Sequence, residues 1–208
     1  MGSNSAAHNN ITELCKIAYK YGTDKCPQIK HSYTPFYYKL LKDRRESIKK
    51  VLELGVGYYR GMGQNETTYD PGLKRQYHRG ASLYMWRDFF PNAQIYGADI
   101  RPETLFSDER IKTYLCDERK KEDLMRLIEN TGSDIDVVID DASHHVDDQI
   151  FLATTILPLL KKDVVYIIED VGHSKKIGTA MTGRYDYFVP PIQRIWSGGM
   201  LFVIQNKL

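Results

Sequence analysis

The stretch KKVLELGVG (residues 49–57) is a short apolar run that ends in glycines. A run of this length, bounded by lysines and glycines, predicts a buried strand. The glycines after it let the chain turn tightly and let a ligand approach the backbone. The same pattern recurs downstream. AQIYGADI (93–100), RIKTYLCDE (110–118), IDVVIDD (135–141) and VVYIIED (164–170) each read as a strand ending in acids, and GMLFVIQN (199–206) as a last strand. Between them lie helical stretches, SLYMWRDFFP (82–91), KKEDLMRLIENTG (120–132) and DDQIFLATTILPLLKK (147–162), the last disturbed near Pro158. Strands alternating with helices predict an α/β fold, a Rossmann-like doubly wound and mostly parallel sheet with helices on both faces. Upstream, ITELCKIAYKY (11–21) puts Ile11, Leu14, Cys15 and Ala18 on one helical face, with Asn10 as N-cap and Gly22 closing it. Residues 36–49 read as a second helix, with Leu40 and Leu41 inward.

The chain has 208 residues, enough for one domain with a full core, and that domain is expected over 11–208. The opening MGSNSAAHNN (1–10) reads as an expression leader or disordered tail. A formal charge of +2 and a basic cluster interrupted by Asp43 and Glu46 argue against a nucleic-acid partner. No run of 18 apolar residues predicts a membrane span. Three widely spaced cysteines, Cys15, Cys26 and Cys116, suit reduced thiols and a cytoplasmic location. No repeat and no zinc-ligand spacing is present.

In a doubly wound sheet, ligands bind beyond the carboxyl ends of the strands. The acids and glycines at 53–57, 99, 117, 140–141 and 169–170 all fall there, so they are expected to share one edge. The dinucleotide fingerprint GxGxxG is not met, because Arg60 stands where the third glycine belongs. Glu53 before the glycines fits instead a nucleoside cofactor carrying an amine, such as S-adenosylmethionine (SAM). Asp99 is placed to accept ribose hydroxyls, and Asp117 to reach an adenine amino group. Each acid taken singly also reads as a helix cap or a loop charge. Asp140, Asp141, Glu169 and Asp170 end two strands expected to be neighbours, and carboxylates that close repel unless a cation sits among them. An all-oxygen set with room for water suits Mg²⁺. His144, three residues after Asp141 and expected at the start of the next helix, is placed as a general base, whereas His145 is expected only to pack.

YGTDK (21–25), His31, Tyr33, VLELGVG, SLYMWRDFFPNAQIYGADI, VIDDASHH and YIIEDV together resemble the metal-dependent class I SAM O-methyltransferases that act on sugars, a family with macrolide-sugar and rhamnosyl enzymes. The resemblance covers roughly residues 11–171. It implies cofactor contacts at Thr23, His31, Glu53, Gly55, Ser82, Asp99 and Asp117, with Thr23 and His31 placed ahead of Lys25 around the GTDK loop. It implies Mg²⁺ ligands at Asp141, Glu169 and Asp170, and His144 as the base. Asp140 is either a metal ligand or a contact to the methionine end of SAM, and the three-residue spacing to His144 favours Asp141 for the metal. The implied reaction is methyl transfer to a sugar hydroxyl, with a deoxysugar such as rhamnose in a glycan or glycoside as the acceptor. Flanking glycosyltransferase domains in a longer polypeptide and a homo-oligomer are both compatible with the sequence.

One departure from the family is the stretch YYRGMGQNETTYDPGLKRQYHR after the first glycines. A loop this long, carrying Tyr58, Tyr59, Tyr69 and Tyr77, is expected to act as a lid over the acceptor (58–79). The stretch 172–198, with Arg184, Tyr185, Tyr187 and Trp196, is a weaker candidate for the opposite wall. Two rival readings are a catechol-type small-molecule O-methyltransferase and a non-catalytic or NAD-binding Rossmann protein.

Overall fold

Val51 and Leu52 sit side by side in the first strand yet belong to different cores. Val137 and Ile139 likewise face one core and Val138 the other. Successive side chains of a strand point to opposite faces, so a sheet apolar on both faces must be covered on both. The computed structural model describes residues 11–57, 67–70, 75–192 and 199–206 and shows that arrangement.

The central sheet is built from β1 (Lys50–Leu54), β4 (Gln94–Asp99), β5 (Ser107–Asp108), β6 (Ile111–Leu115), β7 (Val137–Asp140), β8 (Val165–Ile168), β9 (Tyr185–Phe188) and β10 (Phe202–Asn206). Its order is β5-β6-β4-β1-β7-β8-β10-β9. The pairs β6/β4, β4/β1, β1/β7 and β7/β8 are parallel, and β5, β10 and β9 run antiparallel to their neighbours. Helices α1 (Glu13–Tyr21), α2 (Tyr33–Leu41) and α3 (Ala81–Phe89) cover one face. Helices α4 (Lys121–Thr131), α5 (Val146–Ile156) and α6 (Ser174–Met181) cover the other. The order reverses at β1, which has β4 on one side and β7 on the other. That switch point is where a doubly wound sheet opens a crevice for a ligand.

Register brings the acids together. Leu54 pairs with Asp140, and Asp140 with Ile168, so the ends of β1, β7 and β8 lie level. Asp99 ends β4 on the other side of β1.

Local departures from the sequence reading have physical causes. The first helix is capped by Thr12, whose side chain accepts from Cys15 N, and not by Asn10. Gly22 closes it in the left-handed region as expected, at φ +86°. The second helix is shorter than 36–49: it begins at Tyr33 and gives way after Leu41 to a 3-10 turn, Lys42–Arg44. The helix α5 likewise ends at Ile156, and Leu157–Leu159 form a 3-10 turn around Pro158. Three elements outside the inserted stretch have no counterpart in the sequence reading, α6 and the edge strands β5 and β9. The inserted stretch contains a hairpin of β2 (Thr67–Asp70) and β3 (Arg75–His78). Arg60, Tyr58, Tyr59 and Trp196 lie outside the described residues.

No helix among the described residues is long and apolar enough to cross a membrane. The three cysteines are all buried and form no disulfide.

Candidate active site

Gly55 follows β1 with φ +91°, and a Cβ there would fall on the Asp141 carbonyl. Only glycine lets the first turn pass this close to the turn after β7. The same loop presents its amides to Asp99: Val56 N and Gly57 N donate to Oδ2 at 3.0 and 3.2 Å, and Arg101 N donates to Oδ1 at 2.9 Å. Asp117, beyond β6, is held by the Arg119 side chain at 2.9 and 3.1 Å, which keeps its carboxyl below the usual range. Asp99 and Asp117 therefore flank one half of the sheet edge, on the β4 and β6 side.

Glu53 is fully buried within β1. Trp86 Nε1 donates to its Oε2 at 2.6 Å. Burial raises the Glu53 pKa, with Lys25 opposing that rise. Lys25 is itself buried, at 2% exposure, and its ammonium is the hub of the site. It donates to Asp141 Oδ2 at 2.5 Å and to Glu169 Oε2 at 2.7 Å, and lies 3.5 Å from Glu53 Oε1. Burial alone would lower the Lys25 pKa, but Asp141, Glu169 and Glu53 more than offset it and keep the ammonium charged.

On the β7 and β8 side, the two adjacent aspartates diverge. Asp140 is buried and accepts from the Tyr166 hydroxyl at 3.4 Å; burial pushes its pKa up to about 7. Asp141 turns to Lys25 with one oxygen and to His144 with the other, Oδ1 to Nε2 at 2.9 Å. Burial alone would raise the Asp141 pKa, but Lys25 and His144 hold it below the usual range. The hydrogen bond to Asp141 raises the His144 pKa in turn. Asp170 Oδ2 lies 3.7 Å from His144 Nδ1, and its Oδ1 accepts from the Tyr33 hydroxyl at 2.5 Å. Glu169 is turned inward, with Oε1 on the Tyr37 hydroxyl at 2.6 Å and Oε2 on Lys25.

Asp141, His144 and Asp170 offer ligand atoms that all lie within 4.8 Å of one another. Two half-exposed carboxylates with an imidazole beside them suit a hard divalent ion that keeps several waters, so the residues present fit Mg²⁺. His144 does not begin the next helix, as the sequence reading had it. It sits in the left-handed region at φ +60°, two residues before α5 starts at Val146, and His145 is the cap. Asp170 is also left-handed, at φ +49°.

The GTDK loop enters the site differently from the sequence reading. Thr23 is buried, and its hydroxyl accepts weakly from Lys25 N at 3.5 Å. His31 stacks on Tyr33 with ring centroids 4.7 Å apart, and its buried Nε2 lies 3.7 Å from Asp24 and 3.9 Å from Asp170. Burial lowers the His31 pKa, so these are contacts of a neutral ring and not ion pairs. Lys25, which sequence reasoning ranked below Thr23 and His31, makes the most contacts to the site acids. Tyr37 and Trp86 were also missed. The signal for Tyr37 was its i,i+4 spacing from Tyr33, which puts both hydroxyls on one side of α2.

No family model matches the chain. Among curated proteins, its relatives are sugar O-methyltransferases. The mycinamicin VI 2''-O-methyltransferase of Micromonospora griseorubida is 33% identical over 162 residues, 76% of this chain and 36% of that protein. The 8-demethyl-8-(2-methoxy-alpha-L-rhamnosyl)-tetracenomycin-C 3'-O-methyltransferase of Streptomyces olivaceus is 30% identical over 181 residues, 86% of this chain and 42% of that protein. The chain thus spans less than half the length of these relatives. The solved MycE methyltransferase from the mycinamycin biosynthetic pathway, in complex with Mg, SAH and mycinamycin VI, superposes with a TM-score of 0.72 at 23% identity, over 94% of this chain and 53% of that one. Human methyltransferase-like protein 13 in complex with SAH superposes less closely, with a TM-score of 0.54 at 14% identity, over 79% of this chain and 75% of that one. The fold is the Rossmann-like fold of the class I methyltransferases, as the alternation of strands and helices implied.

Proposed function

From this kinship with the class I sugar O-methyltransferases, we propose that the chain transfers a methyl group from SAM to a hydroxyl of a sugar in a divalent-metal-assisted reaction. The acceptor is a deoxysugar such as rhamnose, carried on a glycan or glycoside. The observation that carries this reading is the division of one sheet edge into two halves. The β4 and β6 half presents Asp99 and Asp117, and the β7 and β8 half presents Asp141, His144 and Asp170. A reaction that joins a nucleoside cofactor to a metal-held hydroxyl needs both halves within one crevice.

Thr23, His31, Glu53, Gly55, Ser82, Asp99, Asp117 and Asp140 are the cofactor-side residues of this proposal. Asp99, held by three backbone amides, is pre-organised to accept ribose hydroxyls. Asp141, Asp170 and Glu169 are the carboxylate set for the ion, Asp141 and Asp170 at the front and Glu169 behind, against Lys25. When bound, SAM supplies an electrophilic methyl, and the divalent ion supplies Lewis acidity that eases loss of the acceptor proton. His144 takes that proton on a ring nitrogen, and the sugar oxygen then forms its bond to the methyl carbon as the carbon–sulfur bond breaks. The fixed crevice keeps oxygen and methyl in line, and such positioning supplies much of the rate.

The reading of 58–79 as a lid over the acceptor and the weaker reading of 172–198 as the opposite wall stay part of the proposal. So does a cytoplasmic location, which the buried, unbridged thiols suit.

Calorimetric titration with S-adenosylhomocysteine, with NAD as control, tests the proposal. Saturable binding of the first and none of the second is expected, followed by methyl transfer to acceptor sugars that depends on Mg²⁺. Folded protein that ignores S-adenosylhomocysteine would overturn it. Turnover of catechols but not of sugars would move the chain to the small-molecule reading.

A further inference from the structure

The two oxygens of Asp170 stand in different surroundings. Oδ1 lies against two rings: it accepts from the Tyr33 hydroxyl at 2.5 Å and is 3.9 Å from His31 Nε2. Oδ2 is turned the other way, 3.7 Å from His144 Nδ1. The phenol is not free to swing off Oδ1. Tyr33 is buried at the start of α2, and His31 stacks on its ring with centroids 4.7 Å apart and planes 7° from parallel. Gly199, at φ +85°, passes close by: a Cβ there would lie 2.7 Å from the phenol oxygen and 2.8 Å from His31 Nδ1. Tyr33 is thus a donor of fixed position, set on one oxygen of a proposed metal ligand.

We propose that Tyr33 is a positioning residue that sets ion specificity: by holding Asp170 Oδ1 it leaves Asp170 one oxygen for the ion, and so shifts the site's preference from Ca²⁺ towards Mg²⁺. The inference rests on the metal part of the proposed function, with Asp141, Glu169 and Asp170 as the carboxylate set and His144 as the base. The chemistry follows from the two ions. Mg²⁺ is small, demands near-octahedral geometry and keeps several waters, so one oxygen of a carboxylate is enough for it. Ca²⁺ is larger, takes more oxygens in a flexible arrangement and binds carboxylates through one oxygen or both. A Ca²⁺ ion that took both oxygens of Asp170 would have to take Oδ1 from the phenol. Losing a hydrogen bond to a charged group costs such an equilibrium a factor of about ten or more. Mg²⁺ on Oδ2 leaves the bond in place. Tyr33 therefore acts through Asp170 and touches no ion itself.

Displacement of Mn²⁺ from the full chain, without cofactor, places Mg²⁺ and Ca²⁺ affinities on one scale when the freed Mn²⁺ is read by electron paramagnetic resonance. Tyr33→Phe keeps the ring against His31 and removes only the hydroxyl. The ratio of Ca²⁺ to Mg²⁺ affinity is expected to rise about tenfold in this variant, through tighter Ca²⁺ binding, with Mg²⁺ affinity little changed. An unchanged ratio overturns the proposal. So does an equal loss for both ions, which is what a merely structural role of the phenol would produce. Should Tyr33→Phe fail to fold, the same ratio in Gly199→Ala decides, because its methyl would meet the phenol oxygen and displace it from Asp170. A wild type that binds no Mn²⁺ overturns the metal part of the proposed function and this inference with it. A wild type that binds Mn²⁺, with a variant ratio that stays the same, overturns the inference alone.

Discussion

His144 Nε2 lies 2.9 Å from Asp141 Oδ1, and the contact is made by a strained turn instead of a helix. The two lie three positions apart, a spacing that would also bring side chains together on a helix. Here the helix begins later, and His144 reaches back at φ +60°. Asp170, the third member of the group, is left-handed as well. Left-handed backbone at a non-glycine residue costs on the order of 1–3 kcal/mol, and it persists where the surrounding structure holds it. Histidine and aspartate are among the non-glycine residues that tolerate this region best, and in this group the surrounding contacts hold both there.

Replacing His144 with alanine removes the proposed base and leaves the cofactor half untouched. Methyl transfer is expected to fall by about 10²–10⁴-fold, the usual worth of a positioned acid or base. Calorimetry should find S-adenosylhomocysteine affinity unchanged. Wild-type turnover in this variant would return the proton to solvent or to another residue.

Asp170→Asn separates backbone from charge. Asparagine tolerates the left-handed region nearly as well as aspartate. The variant is therefore expected to melt close to the wild type while losing its response to Mg²⁺. Asp170→Ala should lose the metal response and also about 1 kcal/mol or more of stability. Thermal melts with and without Mg²⁺ give both readings. An Asn variant that still responds to Mg²⁺ like the wild type would remove Asp170 from the ligand set.

Gly55→Ala places a Cβ against the Asp141 carbonyl and strains a residue at φ +91°. The clash is with backbone, so relief requires the β1 and β7 turns to separate. A loss of more than about 2 kcal/mol is expected from urea unfolding, together with weakened cofactor binding. Full stability in this variant would mean that the two turns are not locked together.

The sheet was legible because each central strand is an apolar run that ends abruptly in acid or glycine, and that punctuation survives without knowledge of tertiary contacts. The shared edge of Glu53, Asp99, Asp117, Asp141 and Asp170 followed from topology alone. What sequence could not give was the direction of each side chain at that edge. Asp140 and Asp141 look alike in sequence, yet strand pleating sends one to Tyr166 and the other to Lys25. Lys25 was undervalued because a lysine in a polar loop reads as solvated; only the fold brings it under three strand ends. The edge strand β9 was missed because its burial is poor and its aromatic residues, Tyr187 and Phe188, stay largely exposed.

Acid stability is expected to depend on Asp136, at the opposite end of β7 from the site. Its carboxylate accepts from Lys49 N at 2.6 Å, from Lys50 N at 2.9 Å and from Lys161 Nζ at 2.5 Å. It thereby joins the start of β1 to the loop before β8. Burial alone would raise its pKa, but the Lys161 contact and the two backbone amides hold it below the ordinary carboxylate value. A folded-state pKa lowered in this way gives stability that is fully present above the unfolded value, about 3.9, and is lost as pH falls through the lower folded value. At pH 7 Asp136→Asn should therefore be less stable than the wild type by about 2 kcal/mol, the worth of hydrogen bonds to a charged group. The gap should hold down to about pH 4 and then narrow, because only the wild type has a carboxylate there to protonate. Urea midpoints measured at pH 7, 5, 4 and 3 check this. A gap that stays constant through pH 3 would mean that the contacts to Lys161 and the amides do not favour the charged form, and that packing of the side chain, not its charge, joins these two loops.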